Sequence, residues 1–570
     1  MTKLDPPPSG PMTEAQRDLI ERATDSLPGP NPFIGLRRED VLEGLQAIWK
    51  QALASPKLVV EQQAALLRDL IQVLAGDSAL APTPGDKRFG DAMWKDNPFY
   101  KIGLQSYVAW TKAIVGFVDR SELEGDAKNR ARFAAELVTD ALAPTNTVLG
   151  NPAALRKTLE TGGKNLVAGA KNFLEDVSTN GAMPAQVDKK PFAVGKNLAL
   201  SPGMVVFRNP VLELIQYQPL TDMVHARPHL IVPPEVNKFY VFDLSPGKSI
   251  VEYLIKNGFQ TFAASWRNPT AAERDWGMDA YVSALLEAME VIRDITKSPD
   301  VNVHAACSGA MTAAALAGYL AARNEKLIHA MTLMVAVLGK TESTLGMFAS
   351  PQTVAAAKAA SHAKGILDGN DMNRMFAWLR PNDLVWNYWA NNYLLGNSPP
   401  IFDILYWSND STRLPAAFHG EMLDMMVDDL FLKPGALKVL GTPIDLSKVT
   451  IDKFFVSGLT DHITPWKGGY AAARGFGGKN EFILSGGGHI QSLVNPPGNP
   501  KAKYFTNPDL VPSPDDWLSQ AKTTSGTWWD RWRDWEAVRS GEKREAPKHL
   551  GSERYKPIVP SPGTYVHEMC

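Results

Sequence analysis

Cysteine, aspartate and histidine, three residue types that can cooperate in covalent catalysis, occur in that order along the chain. Small residues flank Cys307, with Ala305 and Ala306 before it and Ser308 and Gly309 after it. A thiol attacks well only as a thiolate, which needs a base to take its proton and an acid to orient that base. The pattern indicates a nucleophile. The alternative is a structural cysteine, because free cysteine is among the most buried residue types.

The chain around Cys307 has the pattern of a strand, a tight turn and a helix. Residues 300–304 are typical of a buried strand end, and residues 310–323 form an alanine-rich helical pattern. A nucleophile at such an apex is the nucleophile elbow of α/β-hydrolases, usually written Gly-x-nucleophile-x-Gly. Ala305 stands at the first glycine and Gly309 keeps the second. Small residues are needed there because strand and helix pack closely around the apex.

A candidate acid and a candidate base follow the cysteine, each behind a predicted strand. Asp461 comes after residues 451–457, and His489 comes after residues 481–484 and three glycines. In α/β-hydrolases the acid precedes the histidine, and both lie on loops after later strands. We therefore predict a catalytic triad of Cys307, Asp461 and His489.

Four other histidines are alternative candidates for a catalytic or metal-binding residue. His462 could compete as the base, but adjacent loop residues tend to point apart, so we prefer His489. We expect His304, on the elbow strand, to pack in the core. His225 and His229 are four residues apart without a helical pattern or a nearby cysteine, so we predict no metal site there.

Two backbone N–H groups should bind the oxyanion that forms during acyl transfer. The residue after the nucleophile, Ser308, supplies the first. The second should come from the loop after an early strand, which here holds two consecutive prolines that fix its backbone. The N–H of Glu235 or of Val236 is the candidate.

Sulfur at the elbow favours acyl transfer over hydrolysis. A thiol that takes an acyl group from a thioester forms another thioester, so the acyl group stays activated and can pass to an alcohol. A serine ester would lose that activation. The residues therefore point to a CoA or carrier thioester as the acyl donor.

Periodicity divides the chain into three parts. Residues 1–35 are rich in proline and glycine and predict a flexible tail, and residues 36–184 have helical spacing. Residues 185–570 alternate strands and helices, which predicts an α/β-hydrolase domain with a mostly parallel sheet. Residues 340–440 interrupt that alternation with helical, aromatic-rich sequence and predict a lid, or else a helical subdomain without a gating role. We expect the last strand at residues 481–484 and an irregular, tryptophan-rich wrapping segment at residues 495–570.

Composition excludes several classes of protein. The net charge of −2 gives no electrostatic basis for nucleic-acid binding, and two cysteines cannot form a disulfide framework. The N-terminus lacks the apolar core of a signal peptide, and no apolar run reaches the roughly 20 residues of a membrane span. We expect a cytoplasmic protein without a cofactor.

Several motifs together resemble the polyhydroxyalkanoate synthases of the single-subunit kind, from about residue 85 onwards. Around the predicted site they are ACSG at 306–309, VPPEVNKFY at 232–240, TDHI at 460–463 and GHIQSLVNPP at 488–497. Elsewhere they are NPFY at 97–100, the stretch from 151 to 163, SWRNP at 265–269 and YWSNDSTRLP at 406–415. Ala305, for the family's glycine, and Glu235, at an often apolar position, depart from the pattern and bear on the pocket's shape.

The resemblance implies an enzyme that makes polyesters from 3-hydroxyacyl-CoA and releases CoA. It implies that His489 deprotonates Cys307, and that His489 or Asp461 then activates the substrate hydroxyl. It also implies a homodimer at the surface of polyester granules, with the N-terminal helices in dimer or granule contacts. The ACSG and STRLP motifs resemble those of the synthases that use medium-chain monomers more than those of the short-chain synthases. The alternatives are a cysteine-type esterase, thioesterase or depolymerase, and a non-enzymatic granule coat protein.

Overall fold

The computed structural model describes residues 38–83, 86–336, 338, 351–378, 381–461 and 463–570. The tail predicted at residues 1–35 and the alternative base His462 lie outside these ranges.

The first part of the described chain is helical, and it confirms the predicted N-terminal helical region. Asn97 and Asn151 each accept hydrogen bonds from two backbone N–H groups of the next turn, and a proline holds the first helical position after each. These caps fix the first residues of the two helices that follow Asn97 and Asn151. The helices are α1 (Arg38–Ala54), α2 (Pro56–Ala75), α3 (Met93–Asp96), α4 (Pro98–Arg120), α5 (Gly125–Ala141), α6 (Pro152–Thr161) and α7 (Lys164–Thr179).

Strands dominate the second part. They are β1 (Gly203–Arg208), β2 (Leu212–Tyr217), β3 (Met223–His225), β4 (His229–Val232), β5 (Thr261–Trp266), β6 (Val301–Ala306), β7 (Ile328–Met334), β8 (Ile366–Leu367), β9 (Leu414–Pro415), β10 (Lys438–Val439), β11 (Thr442–Pro443), β12 (Asp452–Gly458), β13 (Asn480–Ser485), β14 (Lys503–Thr506), β15 (Lys522–Ser525), β16 (Lys543–Glu545) and β17 (Val559–Pro560). The short pairs β3–β16, β8–β9 and β10–β11 form separate ribbons.

The central sheet has eleven strands in the order β15-β14-β13-β12-β7-β6-β4-β5-β2-β1-β17. The six strands from β13 to β5 are parallel, whereas the strands at both ends pair antiparallel. The sheet is therefore mixed, with the parallel part that the sequence predicts confined to its centre. Strands β2, β5 and β6 are buried at every residue, because helices cover both faces of the sheet.

The remaining helices are α8 (Ile250–Lys256), α9 (Met278–Thr296), α10 (Cys307–Ala322), α11 (Pro351–Lys364), α12 (Gly369–Trp378), α13 (Asn387–Trp389), α14 (Asp403–Ser408), α15 (Ala416–Asp428), α16 (Trp466–Gly475), α17 (His489–Leu493), α18 (Pro514–Ser519) and α19 (Trp528–Arg539). Helices α9, α10 and α16 pack in one hydrophobic core, and α8 and α19 pack in the other. The two cores lie on opposite faces of the sheet.

The insertion between β7 and β12 is mainly helical, from α11 to α15. Two π-helical turns, Asn382–Trp386 and Ala390–Leu394, flank the single turn α13. The insertion is fastened to the N-terminal helices through α7. Asn165 donates a hydrogen bond to the carbonyl of Leu394 at 2.8 Å, and the hydroxyl of Tyr393 donates one to Asp176 at 2.7 Å.

The prediction for the C-terminal segment was wrong. Residues 495–570 are not simply irregular, because β14, β15 and β17 extend the central sheet at both ends. Helix α19 carries four buried tryptophans, whose rings pack on the sheet: Trp528, Trp529, Trp532 and Trp535. Strand periodicity missed β14 and β15 because most of their residues are exposed or half-buried, so neither strand carries an alternating apolar pattern.

Within the described ranges, none of the helices has the length and hydropathy needed to cross a lipid bilayer.

Candidate active site

The backbone at the nucleophile elbow is strained, as expected for a nucleophile at the tight turn between a strand and a helix. Strand β6 ends in extended backbone at Ala306, and α10 begins at Cys307 itself, whose φ of 51° is unusual for a residue with a side chain. A Cβ on Gly309 would lie 2.3 Å from the carbonyl oxygen of Pro233, so only glycine fits there. The methyl group of Ala305 is fully buried, which shows that the first small position accommodates alanine.

Asp461 follows β12 and is tightly held. One carboxylate oxygen accepts the backbone N–H groups of Ile463 and Thr464, both at 2.9 Å. The other accepts the hydroxyl of Thr464 at 2.7 Å and the imidazole of His489, also at 2.7 Å. Burial opposes ionisation, but His489 and these hydrogen bonds lower the pKa of Asp461 overall. The residue is an anion that orients the histidine.

His489 opens α17, directly after the glycine-rich turn that follows β13. Its Nδ1 faces Asp461 at 2.7 Å, and its imidazole lines the same cavity as the thiol of Cys307. Burial would lower the pKa of His489, but Asp461 and Cys307 outweigh burial and raise it. The structure thus brings the three predicted residues together: the carboxylate and the imidazole share a hydrogen bond, and the imidazole and the thiol line the same cavity.

Thr464 is part of this site, and the sequence reasoning missed it. Its hydroxyl lies 2.7 Å from Asp461 and 3.1 Å from Nδ1 of His489, so it bridges acid and base. The spacing of Asp461 and Thr464 could have indicated this role. An aspartate can accept the backbone N–H groups of its own turn, which brings a threonine three residues later close to its carboxylate.

The loop after β4 carries the predicted oxyanion donors. Ser308 is the second residue of α10, and the N–H groups of a helix's first turn have no partner within the helix. The N–H of Glu235 donates to the hydroxyl of Ser308 at 3.0 Å and is therefore occupied. Val236 lines the same cavity as Cys307, and its N–H forms no hydrogen bond to any residue that the structure describes. Of the two predicted loop donors, the geometry favours Val236.

Cys307 and His489 open into a cavity of about 350 Å³. Its walls come from the end of α7 and the following segment, the oxyanion loop, the insertion and α17. The lining is mainly apolar, and includes Met183, Pro184, Pro234, Val236, Ala377, Leu384, Ile404, Leu405, Trp407, Ile463, Ile490 and Leu493. Arg374 and Lys189 are its cationic members. A mainly apolar cavity of this volume suits an acyl chain.

The remaining candidate histidines lie away from the cavity. Nδ1 of His229 contacts the Glu536 carboxylate at 3.0 Å, and the ring of His225 contacts the Gly541 carbonyl at 3.1 Å. His304 is fully buried, with its ring 4.7 Å from that of Trp532 and tilted by 55° to it. Both of its ring nitrogens lack a hydrogen-bond partner among the described residues. Packing is its role in the structure.

Comparison with known proteins places this geometry in context. A family model described as poly-beta-hydroxybutyrate polymerase (PhaC) N-terminus matches residues 85–254, and one described as alpha/beta hydrolase fold matches residues 224–496. The second match, with the sheet and elbow above, confirms the predicted α/β-hydrolase fold. A solved monoacylglycerol lipase of Paleococcus ferrophilus is similar over 58% of this chain and 98% of its own, at 12% identity and a TM-score of 0.33.

Curated relatives are similar over nearly the whole chain. Poly(3-hydroxyalkanoate) polymerase 1 of Ectopseudomonas oleovorans is 48% identical over 559 residues, which cover 98% of this chain and 100% of the relative. The poly(3-hydroxyalkanoate) polymerase subunit PhaC of Cupriavidus necator is 38% identical over 506 residues, 87% of this chain and 86% of the relative.

Proposed function

Because the chain belongs to the poly(3-hydroxyalkanoate) polymerase family, whose members are acyltransferases, we propose that it polymerises (R)-3-hydroxyacyl groups from CoA thioesters through covalent thioesters on Cys307. The observation that carries this proposal is the hydrogen bond between Asp461 and His489, whose imidazole lines a mainly apolar cavity together with the Cys307 thiol. No metal or cofactor has a role in it.

Acylation of Cys307 needs two proton transfers, the first to His489 and the second from it. His489 takes the proton of the Cys307 thiol, and the thiolate attacks the thioester carbonyl of the substrate. The N–H groups of Ser308 and Val236 bind the oxyanion. The carbon–sulfur bond to CoA then breaks, His489 returns the proton to the CoA sulfur, and the acyl group remains on Cys307.

Chain growth uses the hydroxyl of the next 3-hydroxyacyl-CoA. His489 accepts the hydroxyl proton while the oxygen attacks the thioester on Cys307, and the cysteine leaves as the thiolate. The lengthened chain, now a CoA thioester, is transferred back to Cys307 with release of CoA. His489 suits this step better than Asp461, because both oxygens of the buried Asp461 carboxylate are already hydrogen-bonded.

We further propose that the enzyme works as a homodimer on cytoplasmic polyester granules, as the resemblance implies. Helices α1 and α2 support the granule contact, because each exposes a stripe of apolar side chains at helical spacing. Trp49 and Leu53 are each 68% exposed. The other members are Leu42 and Leu45 on α1, and Val60, Leu67, Ile71 and Leu74 on α2.

The test of the polymerase is CoA release from 3-hydroxyacyl-CoA substrates of short and medium chain, followed together with turbidity. Cys307→Ala should abolish both signals. Cys570→Ala is the matched control, because it removes the other thiol of the chain and should leave both signals in place. CoA release without turbidity, with free acid as the product, would instead support the cysteine-type hydrolase. Thiol-independent polymer formation would refute the triad.

A further inference from the structure

A carboxyl group that the proposed mechanism does not use lies under the oxyanion loop. Glu235 is 3% exposed, and its N–H, its carbonyl and one of its carboxyl oxygens join the loop to neighbouring elements. Its N–H donates to the Ser308 hydroxyl at 3.0 Å, its carbonyl accepts the Thr412 hydroxyl at 2.7 Å, and its Oε1 accepts the Thr312 hydroxyl at 2.7 Å. Ser308 and Thr312 lie in the first two turns of α10, so this residue ties the loop to the nucleophile's own helix.

The carboxyl group has no compensating charge. Its Oε2 has no hydrogen-bond partner, and Glu235 forms no ion pair, among the residues that the structure describes. Lys238, the lysine of the same loop, is paired with Asp410. A buried, unpaired carboxylate is costly, so burial favours the neutral acid.

The surrounding groups are neutral too. Facing Glu235 are the hydroxyl groups of Ser308 and Thr312 from α10, and Tyr281 from α9, whose pKa is raised by burial and by the Glu235 charge. Burial raises the pKa of Glu235 to about 7, although the two hydroxyl groups partly oppose it. The acid can therefore ionise near neutral pH.

We propose that the Glu235 side chain is a positioning residue for the oxyanion-binding N–H groups, competent as the neutral acid and impaired when it ionises. The inference rests on the proposed acyl transfer. Glu235 directly precedes Val236, and its own N–H is bound to the Ser308 hydroxyl, so an anion here adjoins both residues of the oxyanion hole. A negative charge beside the site where negative charge develops destabilises the transition state. The same charge would also demand solvation and loosen the loop.

The test compares the pH dependence of kcat for the full-length wild type, Glu235→Gln and Thr312→Val, with Cys307→Ala as the blank. The amide of Glu235→Gln keeps the acceptor for Thr312 but cannot ionise. We expect the ratio of its kcat to that of the wild type to rise about ten-fold between about pH 6 and about pH 8.5. Thr312→Val removes a hydroxyl that stabilises the anion, so the alkaline decline should move to higher pH. A ratio that stays constant over this range would overturn the proposal.

An infrared titration separates this result from failure of the polymerase proposal. The spectrum of the wild type should contain the C=O stretch of a buried, protonated carboxyl group, absent in Glu235→Gln and lost as the pH rises through neutrality. This measurement needs no substrate. If the wild type releases no CoA but shows the band, the polymerase proposal fails and the protonation of Glu235 stands. If the band is missing from the wild type, the Glu235 proposal fails whatever the activity.

Discussion

Replacing Gly309 with alanine should damage the elbow far more than the same change elsewhere on the same helix. The new Cβ would lie 2.3 Å from the Pro233 carbonyl oxygen and 2.8 Å from that of Val232. Both obstacles are backbone atoms, so the loop must move by about 1 Å to restore ordinary contact. The Pro233 carbonyl also accepts a hydrogen bond from the indole of Trp266 at 2.8 Å, which such a shift would strain.

The magnitude follows from three contributions to the free energy of unfolding. Alanine in place of glycine stabilises a helix interior by up to about 1 kcal/mol. Overpacking against a fixed backbone costs about 1–3 kcal/mol, and weakening the Trp266 hydrogen bond costs about 1 kcal/mol. Gly309→Ala should therefore lose about 1–3 kcal/mol. Because the displaced loop carries Val236, a misplacement of about 1 Å should also lower kcat about a hundred-fold.

Gly318→Ala is the control, because it also lies in α10 but its Cβ would meet only the side chain of Ile444. That side chain can adjust, so helix propensity and crowding should roughly cancel. The assays are urea unfolding and CoA release, measured on both variants. If Gly309→Ala has the same unfolding midpoint as Gly318→Ala and a kcat within about two-fold of it, the added methyl group does not displace the loop.

Three further predictions concern the acid, the core and the insertion. Asp461→Asn should lower kcat for CoA release about a thousand-fold or more, because His489 loses the partner that fixes its tautomer; a loss under about ten-fold would contradict this. Burial lowers the pKa of His304 well below its usual value. The unfolded chain therefore binds the extra proton, and the free energy of unfolding should fall as the pH drops below about 6.5, by up to about 1.4 kcal/mol per pH unit. His304→Phe should flatten that fall in urea titrations, and an unchanged slope would exclude His304 as its source. Gly169→Ala should speed proteolysis of the insertion, because its Cβ would lie 1.9 Å from the Tyr393 carbonyl oxygen. Equal cleavage in Gly103→Ala, where nothing lies within 4 Å, would refute this.

The order of the three predicted catalytic residues could be inferred from the sequence, because Cys307, Asp461 and His489 each lie shortly after a strand. Residue types on either side of Cys307 predicted a tight turn, and the structure shows why: Gly309 touches backbone and Ala305 is buried. The helix begins at Cys307 rather than at residue 310, since the first turn of a helix has no sequence pattern that distinguishes it from the preceding turn.

Contacts between distant parts of the chain could not be predicted from periodicity. Nothing in the loop sequence shows that the N–H of Glu235 is taken by the Ser308 hydroxyl, which lies 73 residues further along. Strands β14 and β15 were missed because their residues are mostly exposed or half-buried. An alternating apolar pattern develops only where one face of a strand is buried.

The end of the N-terminal helical region forms part of the wall of the cavity that holds Cys307. Thr179 ends α7, and Asn180, Met183, Pro184 and Gln186 follow it, all in the wall of the cavity that holds Cys307. The boundary that periodicity suggests near residue 184 thus falls inside that wall. The opposite wall is the insertion, and it is α7 that holds the insertion in place through its hydrogen bonds to residues 392–397. A chain cut at this boundary would keep the thiol, imidazole and carboxylate but lose the N-terminal part of the cavity wall beside them.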